Sequence, residues 1–148
     1  MDQIAANKIK TVDELAKITE GLNKKGKKVV HCHGVFDLVH LGHIRHLGLA
    51  KKEGDVLIVT ITNDKNVKRG PGRPIFNEQL RAETLAHLSV TDYVCIINSP
   101  TAIECIKKIR PDIYAKGSDY KKKDEDMTGK IYEEEDAVRT ACSYHVAT

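Results

Sequence analysis

A chain of 148 residues with 41% hydrophobic and 30% charged residues has the length of one domain and the make-up of an ordinary globular protein. Its net charge of +3 suits an anionic substrate but is too weak to argue for DNA or RNA, and with two Phe, no Trp and no basic tract interleaved with aromatics it offers no stacking platform. The four cysteines (Cys32, Cys95, Cys105, Cys142) contain no C-x-x-C pair, no apolar run approaches a membrane span and the N-terminus has no signal-peptide pattern. Neither a zinc ribbon, a dithiol motif nor a membrane partner is indicated, and a reducing cytoplasm is the expected setting.

In chain order, Thr11-Val12-Asp13-Glu14 reads as a capping box, and Leu15, Ile18 and Leu22 follow as a helical stripe that ends near Gly26. Lys28 to Cys32 is a short strand, and a second helix runs from about Gly42 to Glu53. Val56 to Thr62 is nearly all aliphatic or β-branched, as expected of a strand buried on both faces. Asn63 to Phe76 is a polar loop, Asn77 caps a helix through Leu88, and Asp92 to Ile97 is a strand. Ser99 and Pro100 open a helix that Pro111 terminates, and Asp112 to Ala115 is a further strand. This alternation predicts an α/β fold, a Rossmann-like three-layer sandwich around a parallel five-stranded sheet, with ligands bound beyond the carboxyl ends of the strands.

Two glycine-rich stretches are decoys. Gly21 to Lys28 nearly spells a P-loop, but Lys28 stands where Ser or Thr should meet magnesium, and the run precedes a strand instead of following one. Gly70-x-Gly72 lacks the third glycine of a dinucleotide fingerprint.

The informative segment is Gly34-Val35-Phe36-Asp37-Leu38-Val39-His40-Leu41-Gly42-His43. A strand ends, the chain turns, and two histidines three apart open a helix, so they share a face and can act on one target. Backbone amides and the positive end of the helix dipole point the same way, which makes an anion site, and Gly42 allows close approach to the backbone. Capping or surface placement is the plainer alternative for either histidine. Metal binding is the sharper one, with His46 one turn on, although His31 and His33 share one strand face while Cys32 points to the other.

Four blocks carry a resemblance: Gly34 to His43, V-K-R-G-P-G-R-P-I (Val67 to Ile75), E-x-L-R (Glu78 to Arg81) and R-P-D-I-Y-A-K-G-S-D-Y (Arg110 to Tyr120). From Val29 to about Tyr120 the chain resembles the cytidylyltransferase-like nucleotidyltransferases with their H-x-G-H hallmark. Within them it most resembles the adenylyltransferase domain of heptose 1-phosphate (ADP-heptose) synthases, and next the glycerol-3-phosphate cytidylyltransferases.

The resemblance implies in-line attack of an acceptor phosphate on the α-phosphorus of an NTP, with pyrophosphate leaving and no covalent enzyme intermediate. His40 and His43 would grip the nucleotide phosphates, with the amides of Val35 and Phe36 lining the phosphate bed and Gly42 close to the ligand. Lys68 would meet the triphosphate or the attacking phosphate. Arg73 and Arg81 can hold phosphates bidentately, Arg73 on the acceptor side; a surface salt bridge with Glu78 is the alternative for Arg81. Asp37 would orient an acceptor hydroxyl or the turn itself. Lys116, Gly117 and Asp119 would border the base. Magnesium would arrive with the NTP, with no dedicated protein site for a metal.

ATP is favoured over CTP, and a phosphorylated sugar or polyol is the acceptor. A homodimer and a sugar kinase, fused or separate, are the protein partners the resemblance allows. Residues 1–27 read as an N-terminal helix and lead-in, 28–136 as the nucleotidyltransferase domain, and 137–148 as a stretch without the family's I-S-S/T-T-like triphosphate segment, which favours a truncated chain. A non-catalytic nucleotide-binding module and a zinc-dependent hydrolase are the rival readings.

Overall fold

The computed structural model describes residues 1–68, 70–116 and 143–146, with Lys116 and the last strand described by backbone alone. Helix α1 (Gln3–Lys8) is capped by Asp2, whose Oδ1 accepts from Ala5 N at 3.0 Å. Six residues are too few to show a periodic stripe, and the sequence reading assigns no helix there. Helix α2 (Val12–Lys24) carries the predicted capping box, with Glu14 N donating to Thr11 Oγ1 at 3.1 Å and Thr11 N to Glu14 Oε1 at 3.2 Å.

Strand β1 (Val29–Gly34) runs two residues further than expected, because His31 and His33 find partners on the neighbouring strand instead of turning. Helix α3 (Leu41–Lys51), strand β2 (Val56–Thr62) and a 3₁₀ turn (Asp64–Asn66) follow. Helix α4 (Glu78–Ala86) is capped by Asn77 as predicted, with Leu80 N donating to Asn77 Oδ1 at 2.9 Å. Strand β3 (Tyr93–Ile97), helix α5 (Ile103–Ile109) and strand β4 (Ile113–Lys116) continue the alternation. Helix α5 starts later than Ser99, which instead shapes a turn by accepting from Thr101 N at 3.4 Å. Strand β5 (Ser143–Val146) pairs parallel to β4, inside the stretch whose sequence offers no recognised pattern.

The five strands are parallel in the order β3-β2-β1-β4-β5. Alternation along the strands sends Val30, Cys32, Val59 and Ile61 to one face, against Leu47 of α3 and Leu85 of α4. Val29 and Ile58 go to the other, against Leu15 of α2 and Ile106 and Ile109 of α5. This gives the predicted three layers. The edge of β3 is covered by the N-terminal segment: Ile9 bridges Val94 in parallel, and Lys10 N donates to Val94 O at 2.8 Å. The strand order reverses on either side of β1, so the crevice where such sheets bind ligands opens at the carboxyl ends of β1 and β4.

Candidate functional site

Strand β1 delivers its chain directly into that crevice, and α3 begins there with His40 as its N-cap. His40 Nδ1 accepts from Gly42 N at 3.0 Å, while His43 Nδ1 accepts from His40 N at 3.2 Å, a capping box built from two imidazoles. The rings lie 4.0 Å apart at 39°. Since both Nδ1 atoms accept from amide N–H groups, each neutral ring carries its proton on Nε2, the edge able to donate to an anion. His40 is exposed and His43 half-buried.

Two expectations change here. The capping alternative is realised, and the His40 amide, expected to face an anion, is occupied by the His43 imidazole, as the Gly42 amide is by that of His40. Gly42 also has a nearer reason than ligand approach: a Cβ there would sit 2.7 Å from His40 Cε1. The glycine between the histidines makes room for the first of them.

The turn before the pair is tightly built. Phe36 is buried, takes φ +52° and meets His43 edge-on at 5.4 Å. A Cβ on Gly34 would come within 2.8 Å of the Phe36 ring. Phe36 thus supports His43 from below, and Gly34 makes space for Phe36.

Asp37 takes the turn-holding role of its two expected ones, Arg73 pairs with it, and Arg81 has a structural setting that was not expected. Asp37 Oδ1 accepts from Phe76 N at 2.9 Å, and Oδ2 accepts from Ile75 N at 2.8 Å and Arg73 Nη1 at 3.2 Å. Burial pushes this carboxyl up, but the bonds from Phe76, Ile75 and Arg73 outweigh it and hold it below its ordinary value. Asp37 is therefore the anchor of the Arg73–Phe76 loop, the turn-holding alternative, with three hydrogen bonds on its two oxygens. Arg73 is its ion-pair partner.

Arg81 is completely buried at its side chain. It donates from Nε to Phe76 O at 3.0 Å, from Nη1 to Val35 O at 2.9 Å and Thr62 O at 2.8 Å, and from Nη2 to Asp64 Oδ1 at 2.7 Å. Four of its five N–H donors are engaged inside the fold, which takes up the fork expected to hold a phosphate bidentately. Glu78 is not its partner either: Glu78 Oε1 accepts from Asp64 N at 3.0 Å. Arg81 locks the loops after β1 and β2 to the start of α4, and Val35 takes part through its carbonyl.

Lys68 is exposed in the loop after β2. Gly117 and Asp119 lie outside the described residues, and Lys116 ends β4 with only its backbone described. His31 and His33 stand on the opposite face of the sheet from α3. Thr60 Oγ1 lies 2.7 Å from His31 Nε2 and 2.8 Å from His33 Nδ1, and Thr62 Oγ1 lies 3.2 Å from His33 Nε2. Burial, reinforced by His33, pushes the His31 imidazole down to about 3. Among the described residues no group of three or more His, Cys, Asp and Glu side chains is disposed to hold a metal ion. Thr60, Thr62 and Asp64 are the polar partners the sequence reading missed; only the Thr-x-Thr spacing at the end of β2, matching His-x-His on β1, could have signalled them.

The pattern described as Cytidylyltransferase-like matches residues 31–143. The bifunctional protein HldE of a Nitratiruptor species is 47% identical over 118 residues, 78% of this chain and 26% of that protein. The HldE of Campylobacter curvus is 45% identical over 121 residues, 80% of this chain and 25% of that protein. The chain thus spans about a quarter of the length of these curated relatives. The solved lipopolysaccharide core biosynthesis protein from Thermoplasma volcanium is 30% identical with a TM-score of 0.65, covering 83% of this chain and 98% of its own. Pantoate-beta-alanine ligase from Francisella tularensis, at 18% identity and TM-score 0.63 over 94% of this chain and 66% of its own, shares the fold. No helix among the described residues is long and apolar enough to cross a membrane. With the family pattern covering most of the chain, and with the parallel sheet and the H-x-G-H turn in place, this chain belongs to the cytidylyltransferase-like family.

Proposed function

We propose that the chain transfers the nucleoside monophosphate of an NTP to a phosphorylated sugar or polyol and releases pyrophosphate. The observation that carries this reading is the His40/His43 pair, whose Nδ1 atoms are fixed on backbone amides so that the Nε2–H edges serve as preoriented donors. Such donors matter most when charge builds on phosphate oxygens in the transition state, where each is worth about 3–4 kcal/mol.

In the proposed reaction an oxygen of the acceptor phosphate forms a bond to the α-phosphorus, and the α–β bridging bond breaks. Both electrons of that bond leave with pyrophosphate. The nucleophile is already ionised, so no general base is required, and catalysis rests on positioning and charge neutralisation. Lys68 supplies a mobile cation to the triphosphate or the attacking phosphate. Asp37 and Arg81 act indirectly, by holding the turn and loops that carry the histidines.

The NTP enters as its magnesium complex. Among the described residues, the carboxylates of Asp37 and Asp64 are engaged by Arg73, Arg81 and amides, so the ion would be held chiefly by phosphate oxygens and water. ATP is preferred to CTP on the closer resemblance to heptose 1-phosphate adenylyltransferases, and a cytoplasmic setting goes with such a substrate pair. Lys116, Gly117 and Asp119 border the base. Residues 28–136 form the transferase domain behind the lead-in of residues 1–27, and a sugar kinase, fused or separate, is the natural supplier of the acceptor. A screen of ATP and CTP against sugar and polyol phosphates, reading pyrophosphate, tests the proposal. ATP-dependent release with a sugar phosphate is expected; no release with any pair would overturn it.

A further inference from the structure

Strand β3 is an edge of the sheet, and its outer side is only half covered. Asn63 N donates to Ile97 O at 3.1 Å, so Ile97 turns its main-chain groups toward β2, and alternation turns those of Val94 and Ile96 outward. The N-terminal segment meets the first of these, with Lys10 N on Val94 O beside the Ile9–Val94 bridge. It then leaves the edge, because Thr11 N turns to Glu14 Oε1 and α2 begins. Among the described residues the Ile96 N–H is left without an acceptor, and Ile96 O has only the Cys95 thiol, at 3.6 Å. Main-chain groups left open on a strand edge invite a partner.

Beside that open stretch, between α5 and the start of α2, lies a cavity of about 340 Å³, within the usual range for small-ligand sites. The Ile96 side chain packs with the core on the α3/α4 face, so this residue lines the cavity through its main chain. Val12 and Ile97 supply apolar wall. Glu104 and Lys108 stand one turn apart on α5 and line the same cavity, both exposed. Neither side chain has a hydrogen bond or ion pair among the described residues, not even with the other. One carboxylate, one ammonium, one main-chain amide and carbonyl and an apolar wall are therefore all open to the same space. An ammonium answers Glu104, a carboxylate answers Lys108, and peptide-like donors and acceptors answer Ile96. The open edge is one or two residues long, roughly 3–7 Å. That is too short to hold a strand of another protein and enough for one or two residues.

We infer that this cavity binds a short zwitterionic ligand, a free amino acid or dipeptide with an apolar side chain, which pairs with the main chain of Ile96 between Glu104 and Lys108. The site has no part in the transfer proposed above and does not depend on it.

The test follows backbone amide NMR signals of this chain, without NTP, as each of three probes is added to tens of millimolar. The probes are L-leucine, alanyl-leucine and N-acetyl-leucine amide, the last of which keeps the side chain and carries no charge. In the free chain the Ile96 amide should exchange with solvent at least about tenfold faster than the Ile97 amide, which faces β2. Leucine and alanyl-leucine should shift the Ile96 signal saturably and slow its exchange, and N-acetyl-leucine amide should bind at least about tenfold more weakly. Glu104→Gln and Lys108→Met, both at exposed positions, should keep the fold and each weaken binding severalfold. An Ile96 amide as protected as Ile97 in the free chain would show a closed edge and overturn the inference. An Ile96 signal unmoved by all three probes would overturn it as well. Equal affinity for the uncharged probe, or unchanged affinity in both variants, would overturn the zwitterionic class.

Discussion

Four histidines within 13 residues, His31, His33, His40 and His43, have opposite fates. The strand pair faces Thr60 and Thr62 of β2, with His33 half-buried and His31 fully buried, where a charged ring would have no solvent and His31 is held neutral. The helix pair stands at the open end of β1 with its Nδ1 atoms on amides. The same division separates the other groups that look like phosphate ligands. Arg81 is engaged inside the fold and Asp37 is tied to the Arg73–Phe76 loop, whereas Arg73 and Lys68 are exposed. Residue type marks a group as able to bind phosphate; what decides is whether the fold has already taken its donors.

If Arg81 is a lock, removing it should damage the fold most. Arg81→Ala leaves the carbonyls of Phe76, Val35 and Thr62 without their donor and the partly exposed Asp64 carboxylate without its cation. A loss of about 3–5 kcal/mol in urea unfolding is expected. A variant of normal stability with only a weakened NTP affinity would return Arg81 to the nucleotide contacts.

Next in size is the acid sensitivity set by His31. His31 titrates near 3 in the fold and about 6.5 when unfolded, so between those values the unfolded chain binds the extra proton. Its contribution is complete above pH 6.5 and falls by about 1.4 kcal/mol per pH unit as pH drops toward 3. Unfolding midpoints from pH 7 to 4 should show this slope, and His31→Leu should flatten it. A native chain of pH-independent stability over that range would mean that His31 accepts a proton in the fold.

The smallest effect sharpens the exposed side of the division. Lys68→Ala should slow turnover severalfold more than Lys65→Ala, both residues being exposed in the same loop. If Lys65→Ala proves the more damaging, the cation that meets the phosphates is the one nearer the strand.

Much of the fold was legible because its signals are local. The Thr11–Glu14 capping box, the apolar run of β2 and the Asn77 cap each lie within a few residues and need no tertiary information. The Gly34–His43 turn was legible for the same reason. The burial of Arg81 was not, since its acceptors come from positions 35, 62, 64 and 76 and meet only when β1, β2 and α4 are assembled. Asp37 shows the same limit across the 36 residues that separate it from Arg73. Strand β5 escaped because four residues beside β4 carry no period long enough to read. The use of Gly42 to seat the His40 ring was hidden because the spacing suggests ligand approach equally well.

The claim that His40 and His43 carry the chemistry is tested most directly in the double variant His40→Ala/His43→Ala, with pyrophosphate turnover measured beside NTP affinity and thermal unfolding. Losing preoriented donors to transition-state charge should slow turnover by at least about 10²–10³, with NTP affinity changed far less. Turnover close to that of the unaltered chain, in a variant that is folded, would contradict the account.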